Sequence, residues 1–389
     1  MTITDHESAL AAARELAPFI AEGAAARDTG RSLPYDEVDA LSAWGLLSIT
    51  VPTEFGGPGL GVRTLAEVVT VVAAADPNVA QIPQSHFVFL DAARRAGSES
   101  LQKQLYSLVL DGARIANAQT ERGGRTVLDD ATTLRRRDGR LVVSGTKYYC
   151  TGAVFADVLA VRALGPDGGS VIAYLPADAV GVRIDVDWDG FGQRTTSSGT
   201  VSLRDAVVDP DLVLDYTGLV AEPSTYGTRA QLLHAAIDVG IARGALDELP
   251  GLAARARPWF EADVERAADD PLLVAQAGEL ELAVRSAQAL LHEAADRIDA
   301  ADEHGGPDAI AAAALATAAA KVAAGRAARR VGGELFDIGG TRTAAAPADL
   351  DRYWRDARTH TLHDPERWKL QHLGRWAVDR RRPPSHGTL

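Results

Sequence analysis

Two changes of hydropathy period divide the 389-residue chain, and their order limits the fold more than any single motif does. Up to about residue 113, segments 15–26, 34–44, 64–75 and 99–110 carry apolar side chains at helical spacing, with a Gly/Pro-rich loop at 52–61 between them. The period then shortens. Leu134-Arg-Arg-Arg-Asp-Gly-Arg-Leu-Val-Val reads as a hairpin turning at Asp138-Gly139, and 158–161, 171–175, 182–186 and 200–203 are short β-rich runs separated by turn residues. That spacing predicts a small antiparallel barrel or sandwich of roughly a hundred residues. Long helical periodicity returns at 231–248, 272–301 and 309–335, each long enough to span a bundle. The expected organisation is therefore α+β: an N-terminal helical domain at 1–113, a middle β-domain at 114–220 and a C-terminal helical bundle at 221–389.

A formal net charge of -13 argues against nucleic acid and against an anionic membrane surface as partners. The lone Cys150 leaves no intramolecular disulfide and fits a reducing compartment. The first ten residues lack a basic stretch followed by an apolar run, and no uninterrupted apolar stretch reaches membrane-spanning length, so a cytoplasmic protein is expected.

Titratable groups reach a site-like density from Trp354 to Pro365. On a helix, Asp356 falls four residues before His360, and His360 three before His363, while Pro365 should end the helix near His363. Paired imidazoles can hold or release a proton near neutral pH, although such pairs also serve as hydrogen-bonded structural groups. The cluster Gly56-Gly57-Pro58-Gly59-Leu60-Gly61 does not satisfy G-x-G-x-x-G and follows no strand, which gives no support to a nicotinamide site. The nine histidines form no H-E-x-x-H and the single cysteine no CxxC, so no metal is expected. Two further segments, from Lys147 to Ala153 and from Trp188 to Gly199, combine aromatics, hydroxyls and glycines in a way that suits the rim of a site for a planar heteroaromatic ring.

Five ordered segments together resemble the acyl-CoA dehydrogenase superfamily: Val51-Pro-Thr-Glu-Phe-Gly-Gly-Pro-Gly, Thr120-Glu-Arg-Gly, Gly145-Thr-Lys-Tyr-Tyr-Cys-Thr-Gly, Phe191-Gly-Gln-Arg-Thr-Thr-Ser-Ser-Gly, and Tyr353-Trp-Arg-Asp-Ala-Arg. Within it the chain is most similar to the reduced-flavin-dependent sulfur-acquisition oxidoreductases and dibenzothiophene desulfurisation monooxygenases. That likeness rests on Gln84-Ser-His-Phe, Ala116-Asn-Ala, Tyr149-Cys-Thr-Gly-Ala, Ala256-Arg-Pro-Trp and Arg358-Thr-His-Thr-Leu-His-Asp-Pro. Where a dehydrogenase of this superfamily carries Tyr-Glu-Gly-Thr, with the glutamate as proton-abstracting base, this chain has His363-Asp364-Pro365-Glu366. The shorter carboxylate weakens a dehydrogenase reading.

The resemblance implies an N-terminal helical domain, a middle antiparallel β-barrel and a C-terminal four-helix bundle, assembled as a homotetramer with the 313–328 helix as an interface element. It implies a monooxygenase that takes reduced FMN from a separate flavin reductase and uses oxygen to oxygenate a small organosulfur compound. An acyl-CoA dehydrogenase with FAD is the alternative. Implied catalytic residues are His86, Thr151, His360 and His363, with Thr151 at flavin N5 and the two C-terminal histidines handling the activated oxygen and its proton. Implied cofactor contacts are Asn117, Thr151, Trp188 at the ring system, and Arg257 and Arg342 at the phosphate.

Overall fold

The structure is a computed structural model that describes residues 2–126 and 129–384. The chain opens with α1 (His6–Ala21), α2 (Ala24–Gly30), α3 (Tyr35–Ala43), α4 (Val62–Ala75), α5 (Pro77–Gln81), α6 (Gln84–Ala96) and α7 (Glu99–Leu110). The helix expected at 15–26 instead begins at His6, because Asp5 and Ser8 form a reciprocal capping box, and it stops before Gly23, whose φ is 76°. The short α5 and α6 were absent from the sequence reading. From Gln84 to Ala93 every residue of α6 is buried, so no amphipathic stripe marks it.

The middle of the chain forms β1 (Ile115–Ala118), β2 (Thr133–Arg137), β3 (Arg140–Cys150), β4 (Val158–Leu164), β5 (Ser170–Pro176), β6 (Val182–Asp185), β7 (Gly199–Val208) and β8 (Val213–Asp215). The hairpin falls where Asp138-Gly139 placed it, both residues taking positive φ. The hydrogen-bonded order is β6-β7-β3-β2-β4-β5-β8, with β1 beside β4. The expected purely antiparallel barrel needs correction: β1 and β2 each run parallel to β4, and the ladder is a path with two ends among the described residues. Helix α6 packs against β1, which the chain enters from α7 to lie alongside β4. Val143, Leu159, Val161, Leu175 and Val201 pack inside this layer as a core of their own.

The C-terminal part contains α8 (Tyr216–Ala221), α9 (Tyr226–Asp247), α10 (Leu249–Arg255), α11 (Pro271–His304), α12 (Pro307–Gly339), α13 (Asp351–His360) and α14 (Glu366–Asp379). The three long helices foreseen from periodicity are α9, α11 and α12. The fourth long neighbour in their bundle is α4 from the other end of the chain, so the bundle is not built from the C-terminal part alone. Helix α9 lies between α4, α11 and α12 and is buried on nearly every side. The stretch Pro307–Ala344 is, against the sequence expectation, long and apolar enough to cross a membrane, but 61% of its apolar window is buried as a core helix.

Candidate active site

The end of β3, the loop before β7, helices α5 and α6, α9 and α13 converge on one junction. Irregular pairing between Lys147 and Cys150, with Tyr149 at φ 56°, bends the end of β3 out of the sheet. Thr151 emerges from that bend with Oγ1 2.7 Å from Ser198 Oγ, which lies 2.8 Å from Thr196 Oγ1. Gly152 sits at φ 77°, and a Cβ there would come 3.0 Å from the Ile82 carbonyl, so a side chain would push β3 off the α5–α6 turn. Trp188 donates Nε1–H to the Gln193 carbonyl at 2.7 Å and stands edge-on to Tyr149, giving the loop an aromatic wall.

That loop is fastened to α13. A Cβ on Gly192 would lie 2.0 Å from the Arg355 carbonyl oxygen, so glycine is what permits contact. Asp356 accepts from the Gln193 backbone N–H and from Asn78 Nδ2. Arg355 bonds Asp28 and Asp349 at 2.7 and 2.8 Å. Burial pushes the Asp356 carboxyl up to about 8, although the bond from Gln193 pulls the other way. The contact anticipated between Asp356 and His360 does not form, because Asp356 turns toward this loop.

His360 pairs elsewhere. It is buried at the end of α13, with Nδ1 2.6 Å from Asp238 Oδ1 and Nε2 3.0 Å from His234 Nδ1. Both partners come from α9 and both escaped the sequence reading. His234 and Asp238 stand four residues apart in the helix expected at 231–248, a spacing that could have exposed them. Both ring nitrogens of His360 are engaged by protein groups, and 2% of its surface is exposed. His363 is different: its side chain is half exposed, and its ring centroid lies 3.9 Å from that of His234.

Next to it, Asp364 holds Lys321 at 3.2 Å and Lys369 at 2.9 Å. Burial alone would raise the Asp364 carboxyl, but Lys321, His363 and Lys369 together pull it well below the carboxylate range. A carboxylate so fixed is a poor proton acceptor.

The other expected residues scatter. His86 is fully buried, donating Nε2–H to the Leu47 carbonyl at 2.8 Å and accepting the Ile115 backbone N–H on Nδ1 at 3.1 Å. Burial lowers its pKa to about 4, and its two hydrogen bonds clamp α6 to its neighbours. Asn117 is half-buried on β1, two residues along the strand from Ile115, which His86 holds. Arg257 and Arg342 are exposed near each other, Arg342 donating to the Arg255 carbonyl at 2.8 Å, away from Thr151 and His363. On the elements that meet here, Gln81, Ser85, Gln193, Thr195 and Gln231 each bury a polar atom without a partner among the described residues. Buried groups left in this way mark a place for a polar ligand.

Comparison with known proteins agrees. Models of the acyl-CoA dehydrogenase N-terminal and C-terminal domains match residues 4–113 and 232–365. The chain belongs to the acyl-CoA dehydrogenase superfamily. Within it, the chain is similar to the probable FMNH2-dependent monooxygenase SfnC of Pseudomonas putida, with 33% identity over 98% of this chain and 97% of that protein. It is 30% identical to the dibenzothiophene monooxygenase of Rhodococcus qingshengii, over 96% of this chain and 94% of that one. The crystal structure of TdsC from Paenibacillus sp. A11-2 with FMN and indole superposes with a TM-score of 0.93 at 32% identity, covering 99% of this chain and 100% of that one.

Proposed function

We propose that the protein is a flavin-dependent monooxygenase that uses reduced FMN and oxygen to oxygenate a small organosulfur compound, such as a sulfone, sulfoxide or thioether. Asp364 carries the choice against dehydrogenation: the carboxylate where a thioester α-proton would be taken is locked between Lys321 and Lys369. The similarity to SfnC, dibenzothiophene monooxygenase and TdsC supports FMN and a sulfur substrate.

The junction suits FMN. The Thr151 and Ser198 hydroxyls and the unpartnered Gln193 and Thr195 atoms offer hydrogen bonds to the polar edge of a planar ring, and Trp188 offers it a wall. Reduced FMN, when bound, supplies the electrons that activate oxygen. Thr151 orients the ring, Asn117 lines the oxygen side, and His363 offers a ring N–H as a hydrogen bond to the activated oxygen. The packing of the 188–199 loop on α13 keeps bulk water from the junction.

Arg257 and Arg342 suit a phosphate dianion through their guanidinium forks, and their exposed position makes them contacts for the phosphate held by a neighbouring subunit of a homotetramer. A separate flavin reductase supplies the reduced FMN in a cytoplasmic setting, with domains spanning 1–113, 114–220 and 221–389 and the barrel-like middle domain seated between the helical parts.

Rapid mixing of the protein, reduced FMN and oxygenated buffer with a panel of sulfur compounds tests the reading. An oxygenated sulfur product is expected. Absence of product, together with anaerobic bleaching of bound oxidised flavin by an acyl-CoA, would overturn it.

A further inference from the structure

Helix α9 passes through the protein core, yet it buries Gln231, His234 and Asp238, polar groups spaced three and four residues apart. Burying such a row is costly unless the groups serve each other or a ligand. They are joined by α13. Asp238 Oδ1 meets His360 Nδ1 at 2.6 Å, and His360 Nε2 meets His234 Nδ1 at 3.0 Å, with all three side chains buried. The ring nitrogen left over is His234 Nε2, which has no protein partner among the described residues and belongs to the ring stacked under half-exposed His363.

We infer that Asp238, His360 and His234 form a proton store serving the active site, with His234 Nε2 as its outlet and with Asp238 and His360 as positioning residues. The inference rests on the monooxygenase reading for the use of the proton and on this geometry alone for the store. In the loaded state His360 is an imidazolium, donating Nδ1–H to Asp238 and Nε2–H to His234 Nδ1, while neutral His234 carries its proton on Nε2. His234 releases the Nε2 proton to the oxygen atom that leaves as water, and the His360 Nε2 proton moves onto His234 Nδ1. One proton has left, His360 is neutral with its proton still on Nδ1, and Asp238 remains a carboxylate throughout. Solvent then restores the proton before the next turnover.

The surroundings favour this division of labour. His234 faces His360, His363, Lys321 from α12 and Lys369 from α14, and Asp364 compensates the two lysines. Burial first, and these cations second, disfavour a charged His234, whereas His360 is the ring that meets a carboxylate, Asp238 Oδ1 at 2.6 Å. Asp238 also nears Arg329 across Gly325, but Arg329 is held by Glu366 at 2.7 Å.

The test is Asp238→Asn in the full-length protein, read in two ways. Solid-state nitrogen-15 spectra of histidine-labelled protein without flavin should show His360 charged near neutral pH in the wild type and neutral in the variant. With reduced FMN, oxygen and a sulfur substrate, product per flavin consumed should fall at least about tenfold, its pH profile should move to lower pH, and FMN affinity should stay within about threefold. His234→Gln, which can keep the bond to His360 but has no proton to release, should give the same loss of product and covers the case of a variant that does not fold. Unchanged His360 protonation and an unchanged pH profile would overturn the proton store. A wild type with charged His360 and no oxygenated product would instead sink the monooxygenase reading while leaving the store standing.

Discussion

Replacing His86 with leucine separates a structural histidine from a catalytic one. The imidazole satisfies the Leu47 carbonyl and the Ile115 backbone N–H, and both residues are buried. Leucine fills similar space but leaves both groups without partners, at about 1–3 kcal/mol each, so His86→Leu should destabilise the fold by about 2–6 kcal/mol. The wild type adds a pH signature. Its folded-state pKa of about 4 lies below the ordinary 6.5, so the unfolded chain binds the extra proton between those values. Stability attributable to His86 is therefore complete above pH 6.5 and is lost as pH falls through 4, amounting to about 3 kcal/mol at 1.4 kcal/mol per unit. Urea unfolding at pH 7.5 and at pH 5 measures both effects: the variant should have the lower midpoint at each pH and a smaller drop between them. FMN affinity and oxygenation per folded molecule should remain near wild type. A variant as stable as the wild type that has lost oxygenation would refute the clamp and restore the direct role implied by the family resemblance.

Thr151→Val removes the hydroxyl facing Ser198 and should weaken FMN binding about five- to tenfold, the worth of one hydrogen bond; a fluorescence titration with unchanged affinity would exclude Thr151 as a cofactor contact. Gly192→Ala places a methyl where 2.0 Å separates it from the Arg355 carbonyl, so the loop must leave α13. FMN binding should be lost with helix content retained by circular dichroism, and an alanine variant that binds normally contradicts the docking geometry. Asp364→Asn removes the carboxylate paired with Lys321 and Lys369, whose side chains are 8% and 5% exposed, and should cost about 3–5 kcal/mol in urea unfolding. Because that carboxyl is depressed in the fold, its stabilisation is present above the ordinary carboxylate pKa and fades as pH falls below it, a dependence the asparagine variant should lack.

The alternation of helical and β periodicity was readable because α3, α4, α7, α11 and the hairpin at Asp138-Gly139 each bury one face or turn at residues with few options. Helix α6 was not, since uniform burial erases the period on which such reading depends. The mixed direction of the sheet was equally hidden, for the four-residue β1 lies parallel to β4 and its own pattern does not set that direction. At the site, Thr151, Trp188 and His363 stood in dense local segments, and the loop that carries Trp188 packs on α13, which ends three residues before His363. His234 and Asp238 lie more than a hundred residues from His360 in sequence, at separations of 126 and 122, and only packing of α9 on α13 makes them partners. The pairing of Asp356 with His360 looked natural from helical spacing, but a buried carboxyl goes to the best donors around it, here the Gln193 N–H and Asn78.

Oxygen-18 labelling tests the central claim most directly. The protein is supplied with FMN reduced by a separate reductase, oxygen-18 gas and a panel of sulfones, sulfoxides and thioethers, and the products are weighed by mass spectrometry. The account predicts a sulfur compound carrying one labelled oxygen atom from the gas, with the second appearing in water. Products without label, or no oxygenated product while an acyl-CoA reduces the bound flavin in the absence of oxygen, would contradict it.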